Sequence, residues 1–252
     1  MNQVENMLMD IELHHDVKVL YACEAGSRAY GFATDNSDYD IRFIYIAPLK
    51  EYLSLKKKED TITLQDDLYD IQGWDLKKAL LLACKSNPSL YEWMLSPIIY
   101  KEFDHSMLSL KNVVLRDYSK KVLAYHYANM AKKNIQEWSR KKESSYLIHA
   151  ARASMMLEQI FHYHGKTIHF QNLVEKSNIF SKDELALLFL LKVGEDVKEH
   201  PFINEIATKT SRYILSTEES LVKLEEGAMN STVLEKLFFQ QLGIEGECDH
   251  KN

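Results

Sequence analysis

The pattern of apolar and polar positions changes near Pro97. Before it, short β-prone runs alternate with turn residues. Residues 17–23 form one such run and end in Glu24-Ala25-Gly26-Ser27; residues 41–47 form a second, stopped by Pro48. Residues 61–64 and 68–72 predict a hairpin around Gln65-Asp66-Asp67. Asp75 is placed to cap a helix over 76–85 whose apolar face is Leu76, Ala79, Leu80 and Ala83. Asn87-Pro88 ends that helix, and a short one over 89–95 is closed by Ser96-Pro97.

After Pro97 neither glycine nor proline appears for 67 residues, until Gly165, which favours long helices because both breakers are missing. Leu123, Tyr127, Ala131, Ile135 and Trp138 recur at helical spacing and predict one apolar stripe; Ala150, Ala153, Leu157, Ile160 and Phe161 predict another. Ser181 followed by Glu184 is a capping-box pattern ahead of residues 185–193. The expectation is an α+β chain: a small mixed sheet with helices over 1–97, then a helical bundle over 98–252, without a linker between them.

Composition narrows the class. With 46% hydrophobic and 27% charged residues, the 252-residue chain has the balance of a folded soluble protein. No apolar run approaches the ~18 residues of a membrane span, and residues 1–10 do not resemble a secretory signal. Cys23, Cys84 and Cys248 are widely separated and odd in number, so they are expected as reduced thiols of a cytoplasmic protein.

The net charge of −6 argues against a protein coated in basic charge, but the distribution is uneven. Residues 111–142 carry nine Lys/Arg against Asp117 and Glu137, whereas 171–252 carry fifteen Asp/Glu against nine Lys/Arg. That asymmetry fits either a face that meets a polyanion or a solvated helix surface.

The chemistry is concentrated in Gly26-Ser27-Arg28-Ala29-Tyr30-Gly31-Phe32 and Ser37-Asp38-Tyr39-Asp40-Ile41-Arg42. A strand running into Gly26-Ser27 and then a short helix would offer free N–H groups and the Ser27 hydroxyl to phosphate oxygens. Arg28 adds a fixed positive charge beside them. Asp38 and Asp40 stand two apart at the mouth of a strand, so both carboxylates share a face. Hard oxygen ligands at that spacing suit Mg²⁺, which takes its other ligands from phosphates and water.

Asp70, a charge inside the short apolar strand 68–72, is the expected third carboxylate: a metal ligand that also orients or deprotonates the attacking hydroxyl. Asp66 and Asp67 are ordinary turn residues and Asp75 a helix cap. Tyr39 and Arg42 are expected on the face opposite the aspartates, in structural roles. Asn87 and Glu92 are candidates to line a cleft. Tyr30, Phe32 and the three tryptophans are expected to pack. His162, His164 and His169 lack a metal-ligand spacing.

Gly-Ser, a spacer, Asp-x-Asp on a strand and a later strand aspartate together resemble the DNA polymerase β superfamily of nucleotidyltransferases. The stretches "GSRAYGF", "SDYDIRFIY", "YDIQGWDLKKAL" and "KSNPSLYEWMLSP" are similar to its YcgL-like branch, related to an RNA-ligase-associated RNA-repair nucleotidyltransferase. The likeness is close over 17–97 and fainter in "YHYANMAKKN" and "YLIHAARASMMLEQ".

The resemblance implies a nucleotide-phosphate role for Gly26 and Ser27 and a metal role for Asp38, Asp40 and Asp70; Arg28, on its charge, and Arg152 are expected to join the nucleotide site, with two Mg²⁺ ions and an NTP as co-substrate. Arg152 matches an arginine that the branch carries in its helical half, although Met155 to Gln159 depart from the Trp-Ile pair usual just after it. Three readings stay open: transfer of a nucleotide to an RNA end, the same chemistry on a protein or small-molecule hydroxyl, and a non-catalytic nucleotide-binding module.

Overall fold

A computed structural model describes residues 3–56, 59–102, 108–162, 167–192, 200–227 and 229–244. The chain divides into two compact units: residues 1–29, 37–118 and 228–252, and residues 30–36 with 119–227.

The first unit opens with α1 (Gln3–His15), which buries Val4, Leu8 and Ile11. The strands β1 (Lys18–Glu24), β2 (Tyr39–Ile46), β3 (Thr61–Gln65), β4 (Tyr69–Asp75) and β5 (Ile99–Lys101) form one sheet in the order β3-β4-β2-β1-β5. Only β2 and β4 run parallel, so the sheet is mixed. Alternation sorts the side chains of β2. Ile41, Phe43 and Tyr45 join α1, Val19, Ala22, Ile62, Tyr69 and Ile71 in a core on one face. The other face carries Asp40 and Arg42 and then the buried Ile44 and Ile46.

The helices α2 (Gly26–Ala29) and α3 (Leu49–Tyr52) follow β1 and β2. The hairpin of β3 and β4 forms as the pattern predicts. Asp66 makes its turn: its Oδ1 accepts from the N–H groups of Leu68 at 2.8 Å and Tyr69 at 2.7 Å. Asp75 caps α4 (Leu76–Cys84) by accepting from the Lys77 N–H at 2.9 Å, and the four expected apolar residues are buried.

Asn87 has a local structural task. Its side chain caps α5 (Pro88–Met94), accepting from the Leu90 N–H at 3.1 Å, with Pro88 at the position where a missing N–H costs nothing. Trp93 of α5 stacks on Trp74 at 3.8 Å and buries the sheet face away from α1, as expected of core tryptophans. Helix α6 (Leu108–Asp117) completes this stretch of the unit.

The second unit is helical. Ser119 caps α7 (Lys120–Lys141), which meets α8 (Ser144–His162) through a turn in which Lys142 is left-handed at φ 57° and donates to the Trp138 carbonyl at 2.8 Å. Its buried stripe is the predicted one, with Ile135 half-buried. Helix α8 differs from the expected stripe, because residues 150–159 are buried on every side. It packs against α7, α9 (Phe170–Lys176), α10 (Lys182–Lys192) and α11 (Phe202–Lys223), so residues 150–159 keep no solvent-facing side.

The capping box is formed: Ser181 N–H donates to Glu184 Oε2 at 2.6 Å, and Glu184 N–H to Ser181 Oγ at 3.3 Å. The chain then returns to the first unit as α12 (Ser231–Gln241), where Phe238 meets Tyr52 edge-on at 5.3 Å. No described helix is long and apolar enough to cross a membrane. Cys23 is buried and Cys84 exposed, while Cys248 and His164 lie outside the described residues.

The α5 cap gives a direct test. Asn87→Ala should lower stability by about 1 kcal/mol and Asn87→Asp should restore most of it, measured by urea denaturation. Unchanged stability in the alanine variant would remove the capping role.

Candidate active site

The site is built where β1 ends beside the start of β2. Asp40 is held there through its own peptide. Its N–H donates to Glu24 Oε1 at 2.7 Å, and its carbonyl accepts from the Ala25 N–H at 2.8 Å. Gly26 follows with φ 56°, and a Cβ on it would overlap Asp40 Oδ2. Any side chain at this position would push the aspartate away and strain the turn. The Gly-Ser motif therefore has a structural need for glycine, namely the close approach of the Asp40 carboxylate.

Asp40 and Asp70 are Cα partners on the parallel strands β2 and β4, so their side chains leave the sheet side by side. This is the register that the placement of Asp70 requires. Asp38, one residue before β2, is exposed, and Ser27 lies half-buried in α2.

Arg28 is tethered. Its Nη2 donates to the Ser37 carbonyl at 2.6 Å and its Nε to the Asp38 carbonyl at 3.0 Å, while the guanidinium lies 3.8 Å over the Tyr39 ring. Arg152 belongs to the second unit, buried at 3% exposure with its guanidinium 3.5 Å over Tyr30. Neither a surface ion pair nor an exposed basic patch describes it.

Arg42 corrects a sequence expectation. Positions 38, 40 and 42 share parity, so Arg42 emerges on the face of the aspartates and not opposite them. Its Nη2 donates at 2.8 Å both to Asp40 Oδ1 and to Asp70 Oδ2, and its Nη1 reaches the Asp70 carbonyl at 2.7 Å. Tyr39 does point away, stacked on Tyr69 at 5.2 Å.

Glu24 is the other residue that sequence reasoning passed over. Read as part of a turn, it is fully buried at the end of β1, receiving the Asp40 N–H and the Tyr100 hydroxyl on its two oxygens. Its signal was a carboxylate closing an apolar run, the same feature that singled out Asp70.

Burial pushes Glu24 above the usual carboxylate range, partly offset by the hydrogen bonds from Tyr100 and Asp40 N–H. Asp40 is also raised, first by burial and then by the charges of Asp38 and Asp70, against the pull of Arg42. Among the described residues no three His, Cys, Asp or Glu side chains converge to hold a metal ion on their own. A pair of neighbouring aspartates is nevertheless a fitting donor set for Mg²⁺, which uses one or two carboxylates and completes its shell with phosphates and water.

Comparison with known proteins assigns the chain. Residues 1–240 match the model of the RNA repair pathway DNA polymerase beta family, and the chain belongs to that family. Over 137 residues it is 41% identical to the uncharacterized protein YcgL of Bacillus subtilis (strain 168). That match covers 54% of this chain and 53% of the relative, about half the length of each. A solved nucleotidyltransferase-like protein from Exiguobacterium sibiricum 255-15 aligns with 97% of this chain and 81% of its own, at 11% identity and a TM-score of 0.37. Family membership makes the mixed sheet and helical part those of a polymerase β-type nucleotidyltransferase.

The raised Glu24 carries a pH prediction. A carboxylate whose folded pKa lies above its unfolded value binds its proton more tightly in the native state. Its stabilisation is complete below the unfolded value of about 4 and is lost as pH rises through the folded one. Between pH 4 and neutrality the wild type should therefore lose stability relative to Glu24→Gln, whose amide oxygen still accepts the Asp40 N–H. Parallel urea-midpoint profiles for the two proteins would show that Glu24 does not titrate in this window.

Proposed function

We propose that this member of the RNA repair pathway DNA polymerase beta family transfers a nucleoside monophosphate from an NTP to the hydroxyl of an RNA end, releasing pyrophosphate. The observation that supports it most is the pairing of Asp40 with Asp70 on adjacent parallel strands, against a glycine turn that admits no side chain. The family supplies the RNA repair setting.

In this reading the Asp40–Asp70 pair, with Asp38 nearby on the same strand mouth, would hold Mg²⁺, and the ion would supply charge neutralisation at the triphosphate. Ser27 and the N–H groups of α2 receive the β- and γ-phosphates. Arg28 contributes its positive charge from its tether on Ser37 and Asp38. The acceptor oxygen forms a bond to the α-phosphorus in line with the breaking bond to the pyrophosphate oxygen, and its proton passes to Asp70. Positioning and charge neutralisation provide most of the acceleration. Lys132 and Lys133, exposed on α7, are cations that suit a polyanionic acceptor.

Incubating the protein with each α-³²P NTP, Mg²⁺ and a mixture of RNA, protein and small-molecule acceptors should place the label on RNA. Asp40→Asn should abolish transfer in a folded protein. Asp70→Asn should lower kcat by at least the ~10²-fold typical of losing a general base, with nucleotide affinity changed only a few fold. Asp66→Asn and Asp67→Asn should be nearly silent. Label on protein or metabolites would redirect the acceptor, and wild-type transfer by Asp40→Asn would overturn the mechanism.

A further inference from the structure

Arg42 holds a position in which a simple structural ion pair is a poor description. One terminal nitrogen bridges Asp40 Oδ1 and Asp70 Oδ2 at 2.8 Å each, and the other is tied to the backbone carbonyls of Asp70 at 2.7 Å and Ile41 at 3.2 Å. The side chain is only 15% exposed, and its two partners are 20% and 34% exposed. Two carboxylates on one rung of a sheet repel each other unless a cation stands between them. A planar guanidinium locked by carbonyls behind it is a rigid, permanently charged cation.

We propose that Arg42 is the resident counter-cation of the Asp40–Asp70 pair: it holds the two carboxylates together before nucleotide arrives and competes with the divalent ion for them. This rests on the reading of the pair as metal ligands. The guanidinium occupies one acceptor site on each of the two oxygens it engages, and its charge opposes a second cation nearby. An ion binding the pair must share or displace the guanidinium, and an entering triphosphate offers the released guanidinium a new anionic partner. Arg42 is thus a positioning residue that keeps the site assembled and its affinity for free metal low, so that metal bound to nucleotide is preferred over metal alone.

The test uses Mn²⁺ alone, titrated into the full chain and followed by electron paramagnetic resonance, with thermal unfolding measured in parallel. Arg42→Gln and Arg42→Met should bind Mn²⁺ at least about tenfold more tightly than wild type, well within the roughly thousandfold that a unit charge at contact distance would impose in an effective dielectric near 20. Both should unfold at lower temperature without metal and gain more from saturating Mn²⁺. Arg42→Lys, which keeps the charge, should bind close to wild type.

Unchanged or weaker binding by the neutral variants, with binding still abolished by Asp40→Asn, would overturn this inference and leave the metal reading standing. Mn²⁺ binding indifferent to Asp40→Asn would overturn both. Wild-type protein with ¹⁵N-labelled arginine provides a check that needs no Arg42 variant. One guanidinium signal should shift on Mg²⁺ addition and stay fixed in Asp40→Asn, whereas no shifted signal while Mg²⁺ binds would also overturn the proposal.

Discussion

The backbone of Asp40 is fastened on both sides to the turn that ends β1. Its N–H is held by Glu24 Oε1 and its carbonyl by the Ala25 N–H, while its carboxylate rests on the bare Cα of Gly26. Everything else in the site takes its place from that fastening. It puts α2, with Ser27, beside the start of β2. Through the parallel pairing of β2 and β4 it also fixes which residue of β4 stands next to Asp40. A slip of one residue in that pairing would turn Asp70 to the opposite face and bring Tyr69 or Ile71 in its stead.

Glu24 makes the fastening costly as well as firm. A fully buried carboxylate beside Asp40 adds negative charge to a region that already holds two more aspartates. The structure answers with donors close at hand: the Tyr100 hydroxyl and Asp40 N–H on Glu24, and the Arg42 guanidinium on Asp40 and Asp70. Anionic groups gathered this tightly are sustained by a matched set of donors, and Glu24 and Arg42 take their places as parts of that one network with the aspartates. The conflict is local to one end of the sheet. The far end of the same face is closed by Ile44 and the Trp74–Trp93 stack, which bury apolar surface without any such opposition.

What could be read in the sequence was whatever depends on near neighbours in the chain. The Asp66 turn, the Asp75 cap, the buried face of α4 and the Ser181–Glu184 box are each decided within about four residues, and all form as their local pattern demands. Alternation alone put Asp38 and Asp40 on one face; that Asp70 stands beside Asp40 depends also on the pairing of β2 with β4. Harder to read was what depends on distant partners. Nothing near α8 in sequence reveals that four other helices surround it. Asn87 was ambiguous because the same Asn-Pro that ends one helix can start the next. Arg42 could have been placed by parity alone; its bridging role could not, since that requires knowing that β4 lies beside β2.

The segment between the Gly26-Ser27 turn and Asp38 shows the same dependence on distant partners. The chain leaves the first unit after Ala29 and rejoins it at Ser37, and residues 30–36 between them belong to the helical unit. They are held there by several independent contacts. The Tyr30 carbonyl accepts from the Phe170 N–H at 2.8 Å, Tyr30 lies under Arg152, Phe32 packs on Phe170 at 4.0 Å, and Gly31 touches His169 so closely that a Cβ would overlap the imidazole. The buried Arg152 is thus accounted for by the loop it covers.

Because Ala29 closes α2 and Ser37 precedes Asp38, the seven residues held in the helical unit are bonded in sequence at one end to the Gly26-Ser27 turn and at the other to the Ser37-Asp38 stretch. A substitution at Arg152, His169 or Phe170 alters the anchorage of a segment joined to Ser27 by two residues and to Asp38 by one.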